Sequence, residues 1–338
     1  MGFSNSPHEI SPEGRVEAQK FLEQNSDLLL EDFAEGVPWE ESLHDRPYPT
    51  EVQASLRIRK RKLKGKKLFI HVTPFNINRT GPVRYWPRST EPSLQQEWKT
   101  KSFADQDLKN SYLKFCRELI RRFEPEYFAY AVDVNLFAAE RPQQWNDFVQ
   151  FAHEIYTSLK NEHPKLPIFL NLNAGAFWKN PKVQEQRIRD ILPYTDFIAI
   201  SAFPELSGFT DVSKLPKDFF SRLATIGSTK PFAIAETGYP HPLEGSKNKN
   251  FQKEYLEFVL KESHQLSARF VVWFHYRDFN KVAERAAESL KSSQDSIELL
   301  DSRKDYGLVD DAGNSKNSYA VWKSWFHLPF LDTNSGPV

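Results

Sequence analysis

Cysteine is almost missing. Cys116 is the only one in 338 residues, which excludes an intrachain disulfide framework and any zinc or iron–sulfur site built on thiolates. Gly-rich phosphate signatures are absent as well, with neither G-x-G-x-x-G nor a P-loop anywhere, so a nucleotide fold of those kinds has no sequence support. H-E-x-x-H does not occur, His241 and His275 stand at no metal-ligating spacing, and no G-x-S-x-G elbow is present. Neither a metal nor an organic cofactor is implied. Excess charge is lacking too: 45 Lys+Arg meet 45 Asp+Glu, a balance that argues against a dedicated nucleic-acid partner. Long apolar runs are missing; stretches such as 269–274 have the length of a strand, far short of a bilayer span. No signal peptide follows Met1, so the expected compartment is extracellular or periplasmic if one has been removed, and cytoplasmic otherwise.

What the chain does have is aromatic residues, 27 Phe, 12 Tyr and 8 Trp, and a regular alternation. Short apolar, β-rich runs at 27–33, 67–74, 127–135, 167–173, 196–203, 231–236 and 269–275 are separated by amphipathic stretches near 48–63, 104–123, 142–163, 179–192, 213–226 and 250–266. A short strand at 2–4 followed by a helix near 11–24 completes eight units. Asp105 is placed to cap a helix carrying Leu108, Tyr112, Phe115 and Leu119, and Pro125, Pro164 and Pro167 close helices before the next strand. The continuous apolar runs suit parallel strands buried on both faces. The fold class expected is α/β, a (β/α)₈ TIM barrel, with 1–330 as one domain and 331–338 as a tail. A doubly wound open sheet is the rival, and the missing Gly-rich turn counts against it. The connections 76–102 and 278–306 show little periodicity and read as long loops at the strand C-terminal face. The basic run 57–64 reads as a solvated helix C-terminus, with a polyanion patch as the other possibility.

Catalytic groups of such a barrel sit where strands end. Two strands end in carboxylates: Tyr127-Phe-Ala-Tyr-Ala-Val-Asp133, followed by Asn135, and Pro231-Phe-Ala-Ile-Ala-Glu236. A carboxylate after an apolar run needs a partner or a task. Two on one rim can act as general acid and as nucleophile or base at a glycosidic bond; the structural alternative for each is an ion pair with a nearby Arg or Lys. Glu140, just beyond Asp133, is a further candidate acid. Glu31, Asp32, His71, Asn135, Asn171 and Asn173 could hydrogen-bond sugar hydroxyls, and Trp39, Trp86, Trp178 and Trp273 could stack on sugar faces. Asn78-Arg-Thr80 is a glycosylation sequon.

Taken in order, the carboxylate ending the fourth strand, then Ala-Glu-Thr-Gly-Tyr-Pro at 235–240 and Val-Val-Trp-Phe at 271–274 resemble glycoside hydrolase clan A. The nearest likeness is to the family 53 endo-β-1,4-galactanases and related bacterial proteins. Gly36-Val-Pro-Trp39, Ala199-Ile-Ser-Ala-Phe-Pro204, Tyr306-Gly-Leu-Val-Asp310 and Trp322 extend it over most of the chain. The resemblance implies a retaining glycosidase in which Glu236 matches the nucleophile and Asp133 falls at the acid/base. Trp273 would match the aromatic floor of the sugar site, and Phe203 stands where the family commonly has Tyr. Three positions depart from the pattern: Asp133 replaces Glu, Val132 precedes it instead of Asn, and Phe203 replaces Tyr. The partner expected is an oligo- or polysaccharide. The alternatives carried forward are a carbohydrate-binding protein with an eroded catalytic pair and, more remotely, a barrel acting on phosphorylated metabolites.

Overall fold

The computed structural model describes residues 1–5, 8–9, 11–60, 65–87, 89–227, 229–241, 250–280 and 303–328. Eight strands, β1 (Gly2–Ser4), β2 (Leu28–Phe33), β3 (Lys67–Val72), β4 (Tyr127–Ala131), β5 (Ile168–Asn173), β6 (Ile198–Ala202), β7 (Phe232–Thr237) and β8 (Val271–Trp273), close into one barrel in chain order. All neighbours are parallel, β8 returning to β1. Each strand is followed by an outer helix: α1 (Pro12–Asn25), α3 (Thr50–Arg59), α5 (Gln106–Phe123), α7 (Trp145–Glu162), α9 (Pro181–Ile191), α10 (Ser221–Ile226), α11 (Phe251–Gln265) and α12 (Asn317–Phe326). Among the described residues, the α-helices α2 (Trp39–Leu43), α4 (Pro92–Thr100), α6 (Val134–Glu140) and α8 (Ala174–Lys179) lie in the loops beyond the strand C-terminal ends. The fold is the expected (β/α)₈ barrel. Among the described residues no helix is long and apolar enough to cross a membrane.

Helix α5 shows how local sequence sets these elements. The Asp105 carboxylate accepts the Leu108 N–H at 3.1 Å, and Leu108, Tyr112, Phe115 and Leu119 are buried along one face. Glu124, left-handed at φ 47°, ends the helix ahead of Pro125. Inside the barrel the alternation of side chains puts Phe69, Phe169, Phe197 and Phe270 together toward the strand N-terminal ends, with ring centroids 5.0–5.4 Å apart for Phe69–Phe270, Phe69–Phe169 and Phe169–Phe197. Above them come Ala129, Ala199, Ala233 and Ala235. Large rings plug the base and methyl groups lie above them, beneath the strand ends that carry the site.

Several expectations need correction. The fourth strand stops at Ala131, not at residue 135. Val134, Phe137 and Ala138 recur at helical spacing and are buried in α6. The stretch 76–102 is no bare loop: it contains α4, whose one buried residue, Trp98, gives no periodicity to read. The helix expected over 213–226 is confined to α10, because Pro216 interrupts it. Within the basic run, Arg57 is exposed, but Arg59 folds back to pair with Glu31 at 3.2 Å and with Glu35, and donates to the Asp32 carbonyl at 2.5 Å. Residues 61–64 of that run, the middle of the 278–306 connection and the 331–338 tail lie outside the described residues.

Candidate active site

A slip in the sheet aims Glu236. Ile200 of β6 pairs with Ile234 of β7, but the next residue, Ser201, pairs with Glu236, so β7 carries one extra residue there. Such a bulge re-aims a side chain. Ala235 and Glu236 therefore both turn inward. Thr237 turns outward, where its hydroxyl meets the Ala202 carbonyl at 2.7 Å and the Tyr255 hydroxyl at 2.8 Å. Glu236 is 7% exposed and has no hydrogen-bond partner among the described residues. Burial is the chief reason its pKa is pushed up to about 8; the charges of Asp32 and Asp133 add to the rise, while Arg303 and Arg79 oppose it.

Asp133 approaches from the β4 side in a left-handed conformation (φ 57°) at the start of α6. It is 8% exposed. Its carboxylate takes the Arg79 Nη2 at 3.3 Å and the Asn173 Nδ2 at 3.3 Å. Arg79 is also left-handed, at φ 53°. It stands at the tip of a small hairpin in which Phe75 pairs with Pro82 and the Asn76 side chain accepts the Thr80 N–H at 2.9 Å. Two non-glycine residues held in this region and facing each other mark a pair the surrounding structure imposes. The sequon drew attention to Asn78, while its neighbour Arg79 is the residue at the site.

Asp32 keeps surface open to the mouth. Crowding raises its pKa, Arg59, Arg79 and Arg303 pull it back, and Asp133 adds to the rise; since water reaches it, the rise is smaller than the crowding alone would give. Below lies a polar tier. His71 is buried, its Nε2 3.3 Å from the Asn171 Nδ2, and burial followed by the charge of Arg79 drives its pKa down to about 3. It stays neutral. The Asn171 Oδ1 and Ser201 Oγ are buried without partners; such atoms usually mark the place of a water or a ligand.

The remaining expected residues divide sharply. Asn173 reaches the site, holding Asp133 while its Oδ1 caps α8 at 2.9 Å from the Ala176 N–H. Phe203 lines the mouth, stacked on Tyr306 with centroids 5.6 Å apart. Asn135 is fully buried and serves the scaffold: it donates to the Asn173 carbonyl at 3.0 Å and to the Gln184 Oε1 at 2.9 Å, and accepts the Asn173 N–H at 2.7 Å. Trp273 is 0% exposed and so has no face free for a sugar. It points outward, since Phe270 and Val272 take the inward positions of β8, and its indole N–H donates to the Tyr306 carbonyl at 2.8 Å. Trp39 is equally buried, stacked on Trp98 at 5.2 Å, and Trp86 is buried with its ring edge-on to Phe115. Trp178 stacks on Phe219. Glu140 is exposed at the far end of α6, and Glu31 is engaged by Arg59 and Asn5.

Three groups at the mouth escaped sequence reasoning besides Arg79. Arg303 lies over the rings of Phe203 at 4.3 Å and Phe274 at 5.1 Å. Tyr306 donates its hydroxyl to Glu205, whose pKa burial pushes up to about 7. Arg303 carried no signal beyond membership of a long loop at the strand C-terminal face, Glu205 only its place just after β6, and Tyr306 stood in a motif to which no site role was given. Among the described residues no group of His, Cys, Asp and Glu could hold a metal ion.

No family model matches the chain, and no curated protein sequence does. Solved structures do resemble it. An exo-β-1,4-mannosidase from Opitutaceae bacterium strain TAV5 superposes with a TM-score of 0.66 at 12% identity, over 96% of this chain and 58% of that one. A β-D-glucuronidase from Dictyoglomus thermophilum gives 0.54 at 14%, over 98% and 50%. A β-glucuronidase from Ruminococcus gnavus in complex with uronic deoxynojirimycin gives 0.55 at 14%, over 96% and 49%. At these identities the likeness is one of fold, and the chain spans about half the length of such proteins.

Proposed function

We propose that the protein is a glycoside hydrolase that cleaves β-glycosidic bonds in an oligo- or polysaccharide by a retaining mechanism. The observation that carries this reading is the bulge that turns a buried Glu236, without a hydrogen-bond partner among the described residues, toward the strand C-terminal rim, where it shares a field with Asp133. The barrel likeness to a β-mannosidase and two β-glucuronidases supports it. Glu236 attacks the anomeric carbon while Asp133 donates a proton to the departing oxygen. A water, deprotonated by Asp133, then releases the sugar from Glu236. His71, Asn171 and Ser201 offer polar contacts beneath the ring.

The assignment is tested on a panel of 4-nitrophenyl β-glycosides and β-linked polysaccharides. Glu236→Gln should lower turnover by roughly 10³-fold or more, and Asp133→Asn by about 10²–10⁴-fold. Hydrolysis surviving Glu236→Gln would remove that residue from the mechanism. A second reading is favoured by the Arg79–Asp133 ion pair, which occupies both candidate acid oxygens together with Asn173: a carbohydrate-binding protein on a glycosidase scaffold. It predicts saturable glycan binding without product over long incubation, and no turnover after Asp133→Glu.

A further inference from the structure

We infer that the sugar accepted at this mouth carries an acidic group, a carboxylate or a sulfate ester, seated against Arg303 with Arg79 reinforcing the positive field; the inference rests on the glycosidase reading only for the ligand being a sugar. Three other partly buried arginines have carboxylate partners: Arg59 has Glu31, Arg79 has Asp133 and Arg277 has Glu17. Arg303 has none within ion-pair distance among the described residues. Its Nε is buried and unpartnered. Its terminal nitrogens make no hydrogen bond among those residues and are not enclosed, so they are the ends left open.

The setting holds that cation ready. Phe203 and Phe274 support the guanidinium on their faces, which orients a flexible side chain without neutralising it. The backbone behind it is fixed. Tyr306, whose N–H bonds the Arg303 carbonyl, is itself gripped by the indole of Trp273, and the adjoining Gly307 N–H donates to Asp278 at 2.9 Å. Gly307 packs its backbone against Arg277 and Asp278 so closely that a Cβ there would lie 2.2 Å from the Asp278 nitrogen. Arg303 is the leading opposing charge on Glu236 and also acts on Asp32 and Glu205, so its charge lies at the reacting end of the site. Glu205, another carboxyl within reach of its field, is taken by Tyr306. Arg79 keeps a second buried, unpartnered Nε at the same mouth. Neutral hydroxyls suit the Asn and Ser groups below, whereas a rigidly held guanidinium fork matches an oxyanion.

The test uses sugar pairs that differ at one carbon: 4-nitrophenyl β-D-glucuronide against the β-D-glucoside, the β-D-galacturonide against the β-D-galactoside, and the glucoside 6-sulfate. Hydrolysis and, by calorimetry, binding are measured on the whole chain. Preference for uronides identifies a carboxylate ligand, and preference for the 6-sulfate a sulfate ester; either supports the proposal. Arg303→Gln should erase that preference, lowering the acidic-to-neutral ratio of kcat/KM or Kd by at least about 30-fold whatever change Glu236 undergoes for both sugars alike, and Arg303→Lys should restore part of it. Neutral sugars bound or cleaved as well as acidic ones would overturn the proposal and leave the glycosidase reading standing. Acidic sugars bound but never cleaved would support the charge preference and overturn the glycosidase reading. A preference unchanged in Arg303→Gln would overturn the seat proposed at Arg303.

Discussion

Glu236 poses the sharpest question at the scale of a residue. A nucleophile must be ionised, and burial holds this carboxyl protonated up to about pH 8 in the free protein. The sign follows directly. If Glu236 attacks, kcat/KM rises as pH climbs through about 8 and the carboxyl loses its proton. If it donates a proton instead, kcat/KM falls through the same range. Asp32 is the foremost negative charge raising that pKa, so Asp32→Asn should move the ascending limb to lower pH. A profile that ignores Asp32→Asn would mean that Asp32 is shielded from Glu236 by water in the mouth. The carboxylates themselves were legible in the sequence, because an ionisable group at the end of an apolar run is conspicuous. Arg79 and Arg303 were not. A loop arginine has no periodicity, and only the closed barrel reveals which of 45 cations faces inward.

At the scale of an element, α6 decides how Asp133 is presented. The helix is anchored by Asn135, which binds both Asn173 and Gln184, and Asn173 in turn bonds Asp133. Asn135→Ala strands the Asn173 N–H and the Gln184 Oε1 in the buried interior. The expected cost is about 1–3 kcal/mol of stability, measured by urea denaturation. It should be accompanied by a lower kcat with KM little changed, since Asp133 loses its alignment while the mouth keeps its shape. Sequence reasoning placed Asn135 in the substrate's reach because it extended β4 too far. The apolar spacing of 134, 137 and 138 fits a helix, but seven residues are too few for that signal to outweigh the strand preceding them.

The whole molecule depends on joining its ends. Trp322 of α12 packs on Phe3 of β1 with centroids 4.3 Å apart, and its indole N–H donates to the Asn25 carbonyl at 2.8 Å. Tyr319 meets the Asn25 side chain at 2.8 Å. The last helix thus covers the first strand, where β1 and β8 close the barrel through only two register pairs. Trp322→Ala should cost about 3–5 kcal/mol, seen as a lower urea midpoint with an unchanged slope. A fall in slope would show that the barrel seam opens separately from the rest.

Apolar runs, capping residues and prolines acting over a few neighbours were enough to set the number of strands, their parallel order and the rims on which Asp133 and Glu236 stand. Those signals are local, and the chain alone carries them. Facing is another matter. Strand side chains alternate with period two, so one extra residue in β7 reverses what points inward, and the slip exists only in the pairing of β7 with β6. On β8 every residue from 270 to 274 is aromatic or branched, and no polar alternation says that Trp273 faces the helices and Phe274 the mouth. Only the tertiary structure could assign them, because inward and outward are properties of the closed sheet.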